Sequence, residues 1–94
     1  MVKITLTESA WHDLDSITEY IALDSVRFAQ EFSNRIFDKI EQLRDFPESG
    51  KVVLEYNNNF IRELVLGKYR VIYRIYSAKT IVILRIIHGS KLLN

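Results

Sequence analysis

FIRELVLGKYRVIYRIYSAKTIVILRIIH, residues 60–88, decides the fold. Gly67-Lys68 suits a two-residue hairpin turn with glycine first. That turn sets Leu66 opposite Tyr69, Leu64 opposite Val71, Arg62 opposite Tyr73 and Phe60 opposite Ile75. Opposed residues share a sheet face, so this mostly large, apolar set marks the face that meets the rest of the protein. The other face shows Ile61, Glu63 and Val65 beside Arg70, Ile72 and Arg74. The spacing predicts strands over 60–66, 69–76 and 80–87, the last rich in β-branched residues and expected to be central. A three-residue loop, Ser77 to Lys79, sets Leu84, Ile86 and His88 on the face of Arg70 and Arg74. A two-residue loop sets Arg85 there instead and turns His88 toward the helices. A slip of one residue exchanges the two sets, and both registers stay open.

Working back from residue 60, Asn57-Asn58-Asn59 is a polar turn, and 51–56 is expected to be a strand. Pro47 disfavours helix at the residue before it. Ala29, Phe32, Ile36, Ile40 and Leu43, widened by Phe28 and Phe37, form a helical stripe that ends near Phe46. Asp24-Ser25 supplies a break and a cap. Ala10, Leu14, Ile17 and Ile21 form an earlier stripe, over about 9–23, with Thr7 as its N-cap. Val2, Ile4 and Leu6 alternate with Lys3, Thr5 and Thr7 as a first strand. The expected fold is α+β in two layers, with order β-α-α-β-β-β-β. A helical hairpin covers one face of a mostly antiparallel sheet. Nothing else in the chain is assigned to the second face, which makes it the place to look for function.

The 94 residues make one domain, 1–94. There is no cysteine, so a disulfide framework and a thiolate metal site are excluded. His12 and His88 are the only histidines, too few for a His-rich metal centre, and neither metal nor cofactor is expected. No Walker loop and no G-x-G-x-x-G occurs. The N-terminal MVKITLTES lacks a signal-peptide core, and no run is long enough to span a membrane. A soluble, cytoplasmic domain is the expectation.

The net charge of +1 hides a division: residues 1–50 carry five basic and ten acidic residues, and 51–94 carry eight basic and two acidic. A basic half suggests a face for an anionic partner, nucleic acid or acidic protein. The bland alternative is edge charge against aggregation. Candidate partner-binding or nucleic-acid-binding residues are Arg62, Arg70, Arg74, Arg85 and Lys91. Against a binding role for the arginines stands cross-strand pairing with Glu63, worth about 0–1 kcal/mol if exposed. His88, with a reference pKa of about 6.5, is the one sheet residue suited to proton transfer near neutrality. A strand-end histidine is more often a hydrogen-bonding residue. His12 is expected on the surface; Trp11 and the tyrosines are expected to pack.

Several pieces together resemble the RelE/ParE superfamily of toxins from bacterial type II toxin–antitoxin modules. They are Ala10-x-x-x-Leu14-x-x-Ile17-x-x-Tyr20-Ile21, Phe32 and Ile36, and Phe46-Pro47-x-x-Gly50. Arg62-Glu63-Leu64, Gly67-x-Tyr69-Arg70-Val71-Ile72-Tyr73 and Ile83-Leu84-Arg85-Ile86-Ile87-His88-Gly89 complete the set. The family order of one strand, two helices and four strands agrees with the periodicity. The ending and the low net charge look more like the ParE branch.

The resemblance implies a growth-inhibiting toxin held by an acidic antitoxin. ParE-type members poison DNA gyrase; RelE-type members cleave mRNA on the ribosome. Arg70 and His88 match the catalytic arginine and histidine of histidine-type nucleases. Glu55 is the nearest match for an assisting glutamate, although its spacing from Gly50 departs from that pattern. Lys51 and Lys68 are a thin version of the lysine set that grips mRNA. Gyrase inhibition is the favoured expectation, with contacts over the basic sheet and the tail from Ser90 to Asn94. Ribosome-dependent mRNA cleavage is the alternative, and a non-toxic binding module a further one.

Overall fold

The computed structural model describes residues 2–91. Strand β1 (Lys3–Leu6) leads into helix α1 (Glu8–Ala22). Thr7 joins them. Its Oγ1 accepts from the Ala10 N–H at 3.0 Å and donates to the Leu84 carbonyl at 2.8 Å. One hydroxyl thus caps a helix and ties it to the sheet. Three residues later Ser25 caps α2 (Val26–Glu41) by accepting from the Phe28 N–H at 3.1 Å. The helical course continues through a 3₁₀ turn, Gln42–Arg44. Phe28 stands 61% exposed rather than widening the apolar stripe, whereas Phe37 packs on the core.

The remaining strands are β2 (Lys51–Val52), β3 (Ile61–Leu66), β4 (Tyr69–Ser77) and β5 (Thr80–His88). They form one sheet in the order β1-β5-β4-β3-β2, parallel only between β1 and β5. β4 lies in the middle, and the isoleucine-rich β5 is interior as expected, between β1 and β4, with residues in both core clusters. Gly67 takes φ +56° at the first turn position, and Leu66 pairs with Tyr69 as the hairpin requires. Leu64, Leu66, Val71 and Tyr73 then meet Leu14, Ile36, Ile40 and Leu43 from the helices and the turn that follows α2.

Both proposed registers of β5 occur: that of the two-residue loop at Ser77–Thr80 and again from Ile72–Arg85 onward, and that of the three-residue loop between them. Ser77 pairs with Thr80, but Tyr76 bulges, so Ile75 meets Ile81 and Tyr73 meets Ile83. Leu84 bulges in turn, after which Ile72 meets Arg85, Arg70 meets Ile87 and Tyr69 meets His88. Each bulge moves the alternation by one residue. Ile81, Ile83 and Ile86 can therefore all join the core on the helix side despite their mixed parity. β1 pairs only as far as Ile83. Beyond it, Asp13 of α1 accepts from the Ile86 N–H at 2.9 Å in place of a neighbouring strand.

The second face is not open. The segment 51–56 is a strand for only two residues and then folds over the sheet. Val53 is fully buried against Ile61, Ile72 and Ile87, with Leu84 beside them. Ile61 and Ile72, expected to be exposed, are covered, and Val65 alone of that set remains half exposed.

Gly50 sits where this cover begins. Its N–H donates to the Tyr73 hydroxyl at 3.0 Å, and that hydroxyl donates to the Pro47 carbonyl at 2.7 Å. A Cβ on Gly50 would fall 2.6 Å from the Glu63 carbonyl oxygen and 2.6 Å from the Tyr73 hydroxyl. Only glycine allows so close an approach. Burial pushes the Tyr73 phenol pKa up.

Candidate functional site

Arg70, on β4 of the second face, is enclosed by carboxylates. Glu55, in the folded-over segment, takes Nη1 at 3.0 Å and Nη2 at 3.1 Å. Glu63, on β3, receives Nε at 2.6 Å and Nη2 at 2.5 Å. The Glu63 side chain is 8% exposed and that of Arg70 12%. Lys51 stands 3.5 Å from Glu63. The cluster holds two cations and two anions, a neutral set. The hydrogen bonds that Arg70 donates to Glu55, then those to Glu63 and the attraction of both charges, raise its pKa, while burial works the other way.

His88 lies on the opposite face from Arg70. Its ring meets Tyr69 edge-on at 5.6 Å, and Tyr69 meets Phe32 of α2 at 5.1 Å. The Ser90 N–H donates to His88 Nδ1 at 3.1 Å, which makes that nitrogen an acceptor. Both Arg70 and His88 border a shallow depression near the Gly67 turn and residues 88–91. They enter it from different faces, and each already has its own partners.

Of the other basic candidates, Lys91 borders the same depression, with Lys51 and Lys68, whereas Arg62, Arg74 and Arg85 do not. Arg62, on the helix side of β3, donates to the carbonyls of Asn59, Glu48 and Gly50. Arg85 is held at the open end of β5 by Asp13, at 2.7 and 2.9 Å. That carboxylate raises the Arg85 pKa. Arg74 lies over the Tyr76 ring at 4.6 Å. Lys91 meets Arg70 through its carbonyl, at 3.4 Å. Of the tail from Ser90 to Asn94, residues 92–94 lie outside the described residues.

His12 is on the surface, as expected. Tyr20 and Tyr76 are more than half exposed, contrary to the packing expected of the tyrosines; Tyr73 is fully buried. Asp13 and Val53 had no local signal. An acidic residue on an acidic helix and a valine in an apolar run each look ordinary until the distant partner is in place.

Among the described residues no group of three His, Cys, Asp or Glu side chains could hold a metal ion. No helix among them is long and apolar enough to cross a membrane.

Comparison with known proteins gives one consistent result. A family model described as the ParE toxin of the type II toxin–antitoxin system parDE matches residues 4–93. A solved structure described as the chromosomal ParDE toxin–antitoxin system from P. aeruginosa is similar, with TM-score 0.75 and 25% sequence identity. The match covers 94% of this chain and 96% of that one. A search of curated proteins returned no match.

Proposed function

The chain belongs to the ParE toxin family of type II toxin–antitoxin systems, and from that premise we propose that it arrests growth by inhibiting DNA gyrase and is neutralised by a cognate antitoxin. One observation carries the choice of target: the neutral enclosure of Arg70. An arginine that stabilises charge on a phosphate in flight must present free donors to it. Here Glu55 and Glu63 already take those donors. A ribonuclease would also need His88 free to address the same phosphate. His88 borders the same depression as Arg70 but is packed on Tyr69 and bonded to Ser90. This arrangement favours a protein that acts by docking, with no chemical step of its own. Arg70 then holds the segment after β2 against the sheet, and His88 finishes a strand.

The antitoxin follows from the charge division and the exposed apolar groups. A partner rich in Asp and Glu, ordering as it binds, gains from both.

Inducing the gene alone in a bacterium tests the reading. The expected outcome is growth arrest with double-strand DNA breaks and an SOS response. His88→Ala should act like the parent, and co-expression of the adjacent reading frame should restore growth. Cleaved mRNA at ribosomes without DNA damage, abolished by His88→Ala, overturns the choice of gyrase. Normal growth with folded protein present removes toxicity itself.

A further inference from the structure

A second depression lies beside the N-terminal half of α1, away from Arg70 and His88. Glu8, Trp11, His12, Asp13, Asp15 and Arg85 line it, around a volume of about 550 Å³. Trp11 is the only tryptophan of the chain and is 47% exposed. Its ring meets Phe37 of α2 at 6.0 Å between centroids, and Phe37 packs against the core. An indole held on one side and left half open to water is a rigid platform. Tryptophan is among the residues most enriched where an interface concentrates its binding energy.

The charges around the ring say what kind of partner fits. Positions 8, 11, 12 and 15 fall on one face of a helix. Asp13 and Arg85 neutralise each other, at 2.7 and 2.9 Å. Glu8 and Asp15 are exposed, and among the described residues neither meets a cation within ion-pair distance. Glu8 stands in the first turn of α1, where a carboxylate also favours the helix. Asp15 lies beyond that turn, where the effect has faded. The depression thus presents an indole between two unpaired carboxylates. A cation over an aromatic face is attracted by the ring, most of all by an indole, and a nearby carboxylate adds a charge-assisted hydrogen bond.

We propose that the target docks on this face of α1 through a basic side chain, a lysine or arginine that lies over Trp11 between Glu8 and Asp15. The inference rests on the gyrase reading and adds the docking face and its anchor. An enzyme that grips duplex DNA presents lysines and arginines to the phosphates. An acidic face with an exposed indole suits such a surface, whereas the basic half of the chain suits an acidic antitoxin. The division of charge in the sequence then gives the two partners different surfaces.

The test is a calorimetric titration of the purified full chain with DNA gyrase and, separately, with the product of the adjacent reading frame. Trp11→Leu and Asp15→Lys are titrated beside the parent, with circular dichroism as the check on folding. Leucine keeps an apolar cover on Phe37 and removes the indole; Asp15 is exposed, so reversing its charge leaves the core intact. Each variant should bind gyrase at least about tenfold more weakly, the effect of losing an interface anchor. Both should bind the antitoxin as the parent does. The parent's affinity for gyrase should fall as salt is raised, and that of Asp15→Lys should fall less. Equal gyrase affinities for parent and variants overturn the docking face and leave the gyrase reading standing. Equal losses toward gyrase and antitoxin also overturn it, because the two partners then have no separate surfaces. Failure of the folded parent to bind gyrase removes the gyrase reading and this inference with it. Self-association of the parent that Trp11→Leu abolishes, with gyrase affinity unchanged, assigns the face to a second copy and overturns the proposal.

Discussion

Replacing Arg70 with methionine separates a structural arginine from a catalytic one. The Glu63 side chain beside it is 8% exposed. Without Arg70, Glu63 keeps only Lys51 at 3.5 Å, and Lys51 is itself largely in water. Breaking one side of a buried ion pair typically costs about 3–5 kcal/mol. The remaining Lys51 and the partial exposure of Glu55 argue for the lower end, about 3 kcal/mol. For a domain of this size each kcal/mol shifts Tm by about 4–8 °C, so Arg70→Met should melt about 12–24 °C below the parent. Changing Glu63 to methionine as well removes the stranded charge, and buried pairs replaced by apolar groups are often neutral. The double variant should therefore recover most of the loss, with a coupling of about 2 kcal/mol in the cycle. Thermal and urea unfolding followed by circular dichroism measure all four corners. An Arg70→Met protein that melts within about 2 °C of the parent, yet has lost toxicity, refutes the reasoning. Arg70 would then act on a target and contribute little to the fold.

Gly50→Ala should destabilise by about 1–3 kcal/mol, as overpacking does, because its Cβ meets the Glu63 carbonyl oxygen; urea unfolding measures it. Tyr73→Phe strands the buried Gly50 N–H and should cost about 1–3 kcal/mol, again read by urea unfolding. Burial raises the Tyr73 pKa, so above about pH 10 the unfolded chain loses this proton while the folded one keeps it. Stability should fall with rising pH there, and Tyr73→Phe should remove that part of the slope. Asp13→Ala removes the acceptor of the Ile86 N–H and of Arg85, at a cost of about 1–3 kcal/mol. Hydrogen exchange should show the loss of protection first at residues 84–88.

Local signals were legible in the sequence. The turn at Gly67, the caps at Thr7 and Ser25 and the change of period after Pro47 each act within a few residues, and each appears where expected. They were enough for the element order and for the register of β3 on β4. Long-range competition was not legible. Whether β5 keeps one register depends on the core accepting Ile83 and Ile86 together, and the bulge at Leu84 answers that demand. Whether 51–56 runs on as a strand depends on how well Val53 fills the hollow over Ile61, Ile72 and Ile87. The candidate arginines could be named but their partners could not. Asp13 and Arg85 are 72 positions apart, and Glu55 reaches Arg70 only because the chain after β2 turns back over the sheet. The carboxylates pair with Arg70, whereas the buried Nε of Arg74 has no acceptor among the described residues.

The most direct measurement is a supercoiling assay with purified DNA gyrase, relaxed plasmid and the purified chain. The account predicts loss of supercoiling, equal for the parent and His88→Ala, and reversal by the antitoxin. Unimpaired gyrase, together with His88-dependent cleavage of mRNA on programmed ribosomes, would contradict it.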